Sequence, residues 1–433
     1  MDFTANALEH LNGYITEGVS AFHVIAHTAR LLREAGFVQL SMREPWRLEK
    51  GGRYFVSPFD TTLYAFTLGE DDPLGGRPLL AGAHVDFPAL KLKPDPLLKR
   101  QGYLQLNTEV YGGPILNTWF DRPLGLAGKV AFRDGRGGVD TRYVNVTAPW
   151  LYLPNLAIHM NREINDNGKP IDPQTELLPL AGLVPEGDGE NAFTSALERE
   201  AGLEKGSVLD WDLCLYEPQA PVRVGLEGEF LSSPRLDDLT SVSALIHGLI
   251  GAKKRSGGLN MVCLFDNEEI GSRTKQGADA QMPALILKKV WAAFGLTGED
   301  AMSAMPGGTL LSVDVAHAYH PDYPQKQDIT NFPVMGKGIV FKSAANQSYA
   351  WDCEAMAGAL ALCERAGVSC QRFVKRSGQK GGGTIGSMIS SHLGIPVIDM
   401  GVGLLAMHSS CEMMGTADQA ALEAFAEAYY SEM

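Results

Sequence analysis

The chain has 433 residues, 45% of them hydrophobic and 20% charged, which is enough apolar material for a sizeable core and for two or three domains. A net charge of -14 argues against nucleic acid or an anionic membrane as a partner, because the protein as a whole repels phosphate. Six cysteines without a C-x-x-C, no run of 18 apolar residues and no basic, then apolar, N-terminus lead us to expect a cytoplasmic protein without disulfides or cysteine-held zinc.

Taken in chain order, Leu8, Leu11, Ile15, Val19, Phe22, Ile25 and Leu32 recur at three- and four-residue steps and predict helix across 4–36. From 38 to 94, strand-like runs broken by Gly and Pro end in RPLLAGAHVDFPALKLKP. Alternating patterns and turns such as YLQLNTEVYGG and PVRVGLEGEF then dominate 95–230, with one polar helical piece near 190–203. Beyond SSPRLDD the pattern changes again. Helices are predicted at 239–250, 281–294, 350–366 and 416–431, the last capped by Thr416, with strands at 259–265, 308–313 and 394–399. Strands alternating with helices imply an α/β fold, a mostly parallel sheet flanked by helices on both faces. Residues 1–94 and 231–433 would build it, and 95–230 would form an inserted β-rich domain.

Four of the apolar runs end alike. PLLAGAH stops at His84 with Asp86 two residues on, LNMVCLF stops before Asp266, Glu268 and Glu269, TLLSV stops at Asp314, and IPVID leads into a loop with His408. In an open α/β sheet, ligands bind beyond the carboxyl ends of the strands, so these side chains are placed to share one pocket. Imidazole and carboxylate suit zinc, cobalt or manganese, and two such ions would need a bridging carboxylate. Asp237, on the loop of PRLDD that leads into a helix, is the candidate bridge. Successive side chains diverge at a strand end, so Glu269 is assigned as a ligand and Glu268 as the base that takes a proton from water. Asp266 is read as a support. Taken singly, each of these carboxylates would pass for a turn residue or a helix cap; the recurrence at successive strand ends favours a site.

With AHVDFPALKLKP, SPRLDDL, NEEIGS, SVDVAHAYHPDY, NQSYA, GGTIGS and AMHSSCE in that order, the chain resembles the M18 metallopeptidases, the aspartyl aminopeptidase family, from about residue 80 onward. The resemblance implies an aminopeptidase with two divalent ions, usually zinc, a zinc-exopeptidase-like split catalytic domain, an inserted dimerisation domain and assembly into tetrahedral dodecamers. It makes His84, Asp237 and Asp314 ligands of one ion and Asp237, Glu269 and His408 ligands of the other, with Glu268 as base and Asp86 orienting His84. It also implies that His159 reaches a neighbouring subunit's site, that His317 contacts substrate, and that Lys342 pairs with an acidic substrate side chain. Departures lie in the substrate region, where KRSGQKGGGTIGSM and NTWFDRPLG differ from the usual family wording. The preferred N-terminal residue is therefore acidic (Asp or Glu) or, as in other members, neutral or basic, with Lys342, Lys375, Arg376 and Lys380 as sources of positive charge.

Two other classes compete with this reading. GGGTIG at 381–386 matches G-x-G-x-x-G, and Asp399 follows 18 residues after its first glycine, as in a dinucleotide-binding enzyme. The polar KRSGQK between the preceding strand and the glycines speaks against it. A non-catalytic assembly protein is the second, and the intact set of ligands and base speaks against that.

Overall fold

In the computed structural model, which describes residues 3–168, 170–184, 191–379 and 381–432, the runs that end on acidic residues lie in the middle of a nine-stranded sheet. Leu259–Phe265, Leu79–His84, Thr309–Val313 and Val397–Gly401 follow one another in parallel. Apart from Thr309 their residues are buried, as strands covered on both faces must be. Leu236–Gly251, Thr416–Tyr430 and Phe3–Glu17 pack on one face, Met282–Ala293 and Gly386–Leu393 on the other. On either side of these four strands the parallel pattern is interrupted. Leu63–Leu68 runs antiparallel to Leu259–Phe265, and Ile339–Lys342 antiparallel to Val397–Gly401. Only six residues join Arg53–Val56 to Leu63–Leu68, too few for a crossover, so that pair is antiparallel as well.

Two local expectations are corrected. Residues 4–36 form two helices, Phe3–Glu17 and Ala21–Glu34, because the chain turns at Gly18, where a Cβ would lie 2.4 Å from the Tyr14 carbonyl oxygen. Thr416 is the first residue of the last helix and not its cap; its hydroxyl donates to the Glu229 carbonyl, and Gly415 takes the cap position.

Six strands between Ala89 and Tyr216 close into an antiparallel barrel with a core of its own around Leu90, Leu106, Leu126, Val146 and Leu215. A third sheet escaped the sequence reading: Val222–Val224, Phe230–Ser233, Glu412–Gly415, Gly403–Leu405 and Ala316–His317. Strands of two to four residues are too short to show alternation. This small sheet nevertheless delivers several groups to the site. Among the described residues, no helix is long and apolar enough to cross a membrane.

Candidate metal centre

Strand register brings the acidic turns together. Phe265 pairs with His84, so the Asp266–Glu269 turn starts beside that histidine, and Ser312 pairs with Gly82, which brings Asp314 level with His84 on the other side. Asp237 enters from the small sheet, at a non-helical point (φ -81°, ψ 106°) in the first turn of Leu236–Gly251. His408 sits beyond a second short strand, Gly403–Leu405, and not directly at the end of Val397–Gly401. Arg235, Asn267 and His408 have left-handed backbones, with φ of 59°, 63° and 66°. They lie two residues before Asp237, one before Glu268, and at a candidate ligand. Strain of this kind collects where side-chain placement outweighs local stability.

The two oxygens of Asp237 face different histidines. Oδ1 is 3.2 Å from His84 Nε2, and Oδ2 is 3.3 Å from His408 Nε2. Asp314 Oδ1 lies 3.9 Å from His84 Nε2, and Glu269 Oε2 lies 3.5 Å from His408 Nε2. Two donor groups result, His84–Asp237–Asp314 with Asp238, and Asp237–Glu269–His408, and Glu268 joins His84 and Glu269 in a third. Both rings are fixed from behind: His84 Nδ1 donates to the Asp86 carbonyl (2.9 Å) and His408 Nδ1 to the Gly113 carbonyl (3.0 Å), which leaves each Nε2 facing the carboxylates.

Asp86 therefore orients His84 through its main chain. Its carboxylate is 3.6 Å from His84 Nδ1 and instead accepts from Glu268 N–H (3.1 Å), Glu269 N–H (3.2 Å) and the Tyr111 hydroxyl (2.7 Å). Tyr111 ends a barrel strand. Asp266 braces the turn, accepting from Asn267 N–H and Gln276 Nε2. Two acidic groups were missed. Asp238 is buried and accepts from His84 N–H, and Glu412, 3% exposed, accepts from both Asp237 N–H (3.0 Å) and His408 N–H (2.8 Å). The second acid of PRLDD was a signal for Asp238; Glu412 depends on the small sheet, where it pairs with Ser233.

The charges are unequal. Burial, then Asp314, Asp86 and Asp237, push Glu268 up to about 8, and burial with Asp237 pushes Glu269 well above the carboxylate range. For Asp237 burial is outweighed by the imidazoles of His408 and His84, and its carboxyl stays well below that range. A divalent cation fits these donors. Two ligands about 2.0 to 2.1 Å from one tetrahedral centre stand about 3.3 Å apart, the spacing of Asp237 from both histidines. Asp237 Oδ1 and Glu269 Oε1 are buried without a hydrogen-bond partner among the described residues, a cost that a cation relieves.

The cluster opens into a cleft of about 760 Å³. His317 lies on its wall, exposed, in the small sheet. Lys342 does not line it: 1% exposed, its ammonium donates to the carbonyls of Asp314 (3.0 Å) and Val315 (3.1 Å). His159 is exposed in the short turn Ile158–Met160, apart from the cluster of this chain. Lys375 and Arg376 line the cleft, and Lys380 lies outside the described residues. The GGGTIG loop precedes Gly386–Leu393, but Asp399 is buried and accepts from Thr384 Oγ1 (2.6 Å) and Ala350 N–H, so it is no free partner for a ribose.

Residues 14–430 match the family model described as aminopeptidase I zinc metalloprotease (M18). A probable M18 family aminopeptidase 2 of Clostridium acetobutylicum is 40% identical over 422 residues, 96% of this chain and 97% of that protein. Among solved structures, Ape4 in its complex with Nbr1 superposes with a TM-score of 0.94 at 30% identity, covering 99% of this chain and 86% of that one. The S. cerevisiae mApe1 dodecamer gives 0.85 at 27% identity, covering 100% and 99%. Agreement at this length in both sequence and fold leaves one conclusion, that the chain belongs to the M18 aminopeptidases, a family of zinc metallopeptidases that hydrolyse peptide bonds.

Proposed function

We propose that this aminopeptidase is dinuclear and removes N-terminal residues, acidic ones foremost, from peptides with a free N-terminus. One observation carries the dinuclear reading: a single carboxylate, Asp237, presents one oxygen to His84 and the other to His408. His84, Asp237 and Asp314 would hold one zinc ion, and Asp237, Glu269 and His408 the other. Cations so held supply Lewis-acid polarisation of the scissile carbonyl and acidify water.

The chain's own groups do the rest. Glu268, whose surroundings raise its proton affinity, takes the proton of the attacking water and passes it to the leaving amine. Asp86 holds the main chain of Glu268 and Glu269, which fixes where both carboxylates point. His317 contacts substrate from the cleft wall. Lys342, behind Asp314, adds positive potential for an acidic side chain. The barrel region, 95–230, serves as a dimerisation insert within a dodecamer, and His159 of a second copy donates to the carbonyl oxygen where negative charge grows. Exposed Leu156, Ile158 and Met160 around His159 support that docking, as does the dodecamer seen for the yeast relative.

Zinc-loaded protein should hydrolyse aminoacyl anilides, Asp and Glu fastest, and lose activity to a chelator. Glu268→Gln should keep its metal while turnover falls about 10²- to 10⁴-fold. Faster release of Leu or Lys would overturn the acidic preference alone; normal turnover in Glu268→Gln would overturn the mechanism.

A further inference from the structure

The GGGTIG loop has no part in the chemistry above, and one lysine explains it. Lys375 follows the strand Cys370–Phe373 and lines the same cleft as His84, Asp237 and Glu268. Its ammonium lies 4.2 Å from the centre of the Tyr349 ring, and the Lys342 ammonium lies 5.1 Å from the same centre. Lys375 Nζ donates to Ser348 Oγ (3.2 Å) and to the Gly382 carbonyl. A Cβ at Gly381 would stand 2.8 Å from that nitrogen and 2.8 Å from Lys375 Cε, so a side chain there would push the end of the lysine aside. Thr384 closes the loop, its N–H bonded to the Ser348 carbonyl and its hydroxyl to Asp399. The loop is a seat for Lys375.

An ammonium has three N–H donors; among the described residues two are bonded to oxygens, and the third, beside the Tyr349 ring, is the one that turns to a ligand on this partly exposed wall. Lys342 also uses two, but it is buried and off the cleft surface. We propose that Lys375, seated by Gly381 and Gly382 against Tyr349, is the residue that binds the carboxylate of an acidic N-terminal side chain and so sets the substrate preference. Lys342 then acts from behind as fixed positive charge. The assignment rests on the aminopeptidase reading, because it takes the substrate's amino end to lie at the carboxylate cluster, with its side chain running along this wall.

The test compares kcat/KM of the zinc-loaded full chain for Glu, Asp, Leu and Lys anilides, and for Leu-Ala against Leu-Ala-amide. Lys375→Met should lower the Glu-to-Leu ratio about 10- to 100-fold, mainly through KM, the scale of a lost charge-assisted hydrogen bond. Lys375→Glu should turn the preference toward Lys. Gly381→Val, which displaces the ammonium, should shift the ratio the same way as Lys375→Met and by less. Calorimetry of L-glutamate and L-leucine binding to the zinc-loaded Glu268→Gln protein supplies a readout without turnover, and there Lys375→Met should weaken glutamate selectively. An unchanged ratio in the Lys375 variants, or an effect confined to Leu-Ala and lost with its amide, overturns the proposal while the aminopeptidase stands. Should no anilide be cleaved at all, the functional reading fails, and unaltered glutamate binding in Lys375→Met would then sink this assignment separately.

Discussion

The two walls of the cleft are built on different principles. Around the cluster, the reactive side chains are fixed by groups from other elements: the buried Glu412 holds the main chain of Asp237 and His408, the buried Asp86 that of Glu268 and Glu269, and the Gly113 carbonyl the ring of His408. At Lys375 the restraint is a glycine loop, the Ser348 hydroxyl and one aromatic ring. Chemistry is thus placed on strand ends that cannot move without disturbing the core, and selectivity on a loop that can change without touching the metal ligands. Variants on the first wall should damage metal binding, turnover or both, alike for every substrate, whereas those on the second should redistribute substrates.

The largest effect belongs to Asp237→Asn, which removes charge from the carboxylate common to both donor groups and should lower kcat by on the order of 10⁴-fold for all anilides alike. A loss that varied among substrates would blur the division between the walls. Glu412→Gln comes next. It sets an amide N–H against one of two main-chain N–H donors, and zinc affinity measured by competition with a chelator should fall about 10- to 100-fold, as for other groups that orient metal ligands. Unchanged affinity would mean that the small sheet, not Glu412, holds Asp237 and His408. Tyr111→Phe is the gentlest. It removes a hydroxyl shared by Asp86 and Asn267 and should cost roughly 1 kcal/mol, about fivefold in kcat, with zinc content intact.

Much of the first wall was legible in the sequence because its residues end long buried strands. The run Leu259–Phe265 is visible as seven apolar or packable positions, and the acids after it had to emerge at the carboxyl edge. The groups that aim the ligands were not legible. Glu412 acts through a strand of four residues paired with another of four, and its partner Asp237 lies 175 positions away. Asp86 was read beside His84, yet its contacts depend on whether a carbonyl or a carboxylate meets that ring, which spacing does not encode. Lys342 shows the opposite case, a residue identified by its motif whose burial behind Asp314 only the fold reveals. The antiparallel pairings on either side of the central strands were missed because period alone does not give strand direction.

The claim beneath all of this is that Asp237 joins two cation sites. Elemental analysis of zinc in purified, reconstituted protein tests it most directly. The account predicts about two zinc ions per chain in the wild type and in Glu268→Gln, and well under one in Asp237→Asn. One ion per chain in the wild type, or two retained in Asp237→Asn, would contradict it.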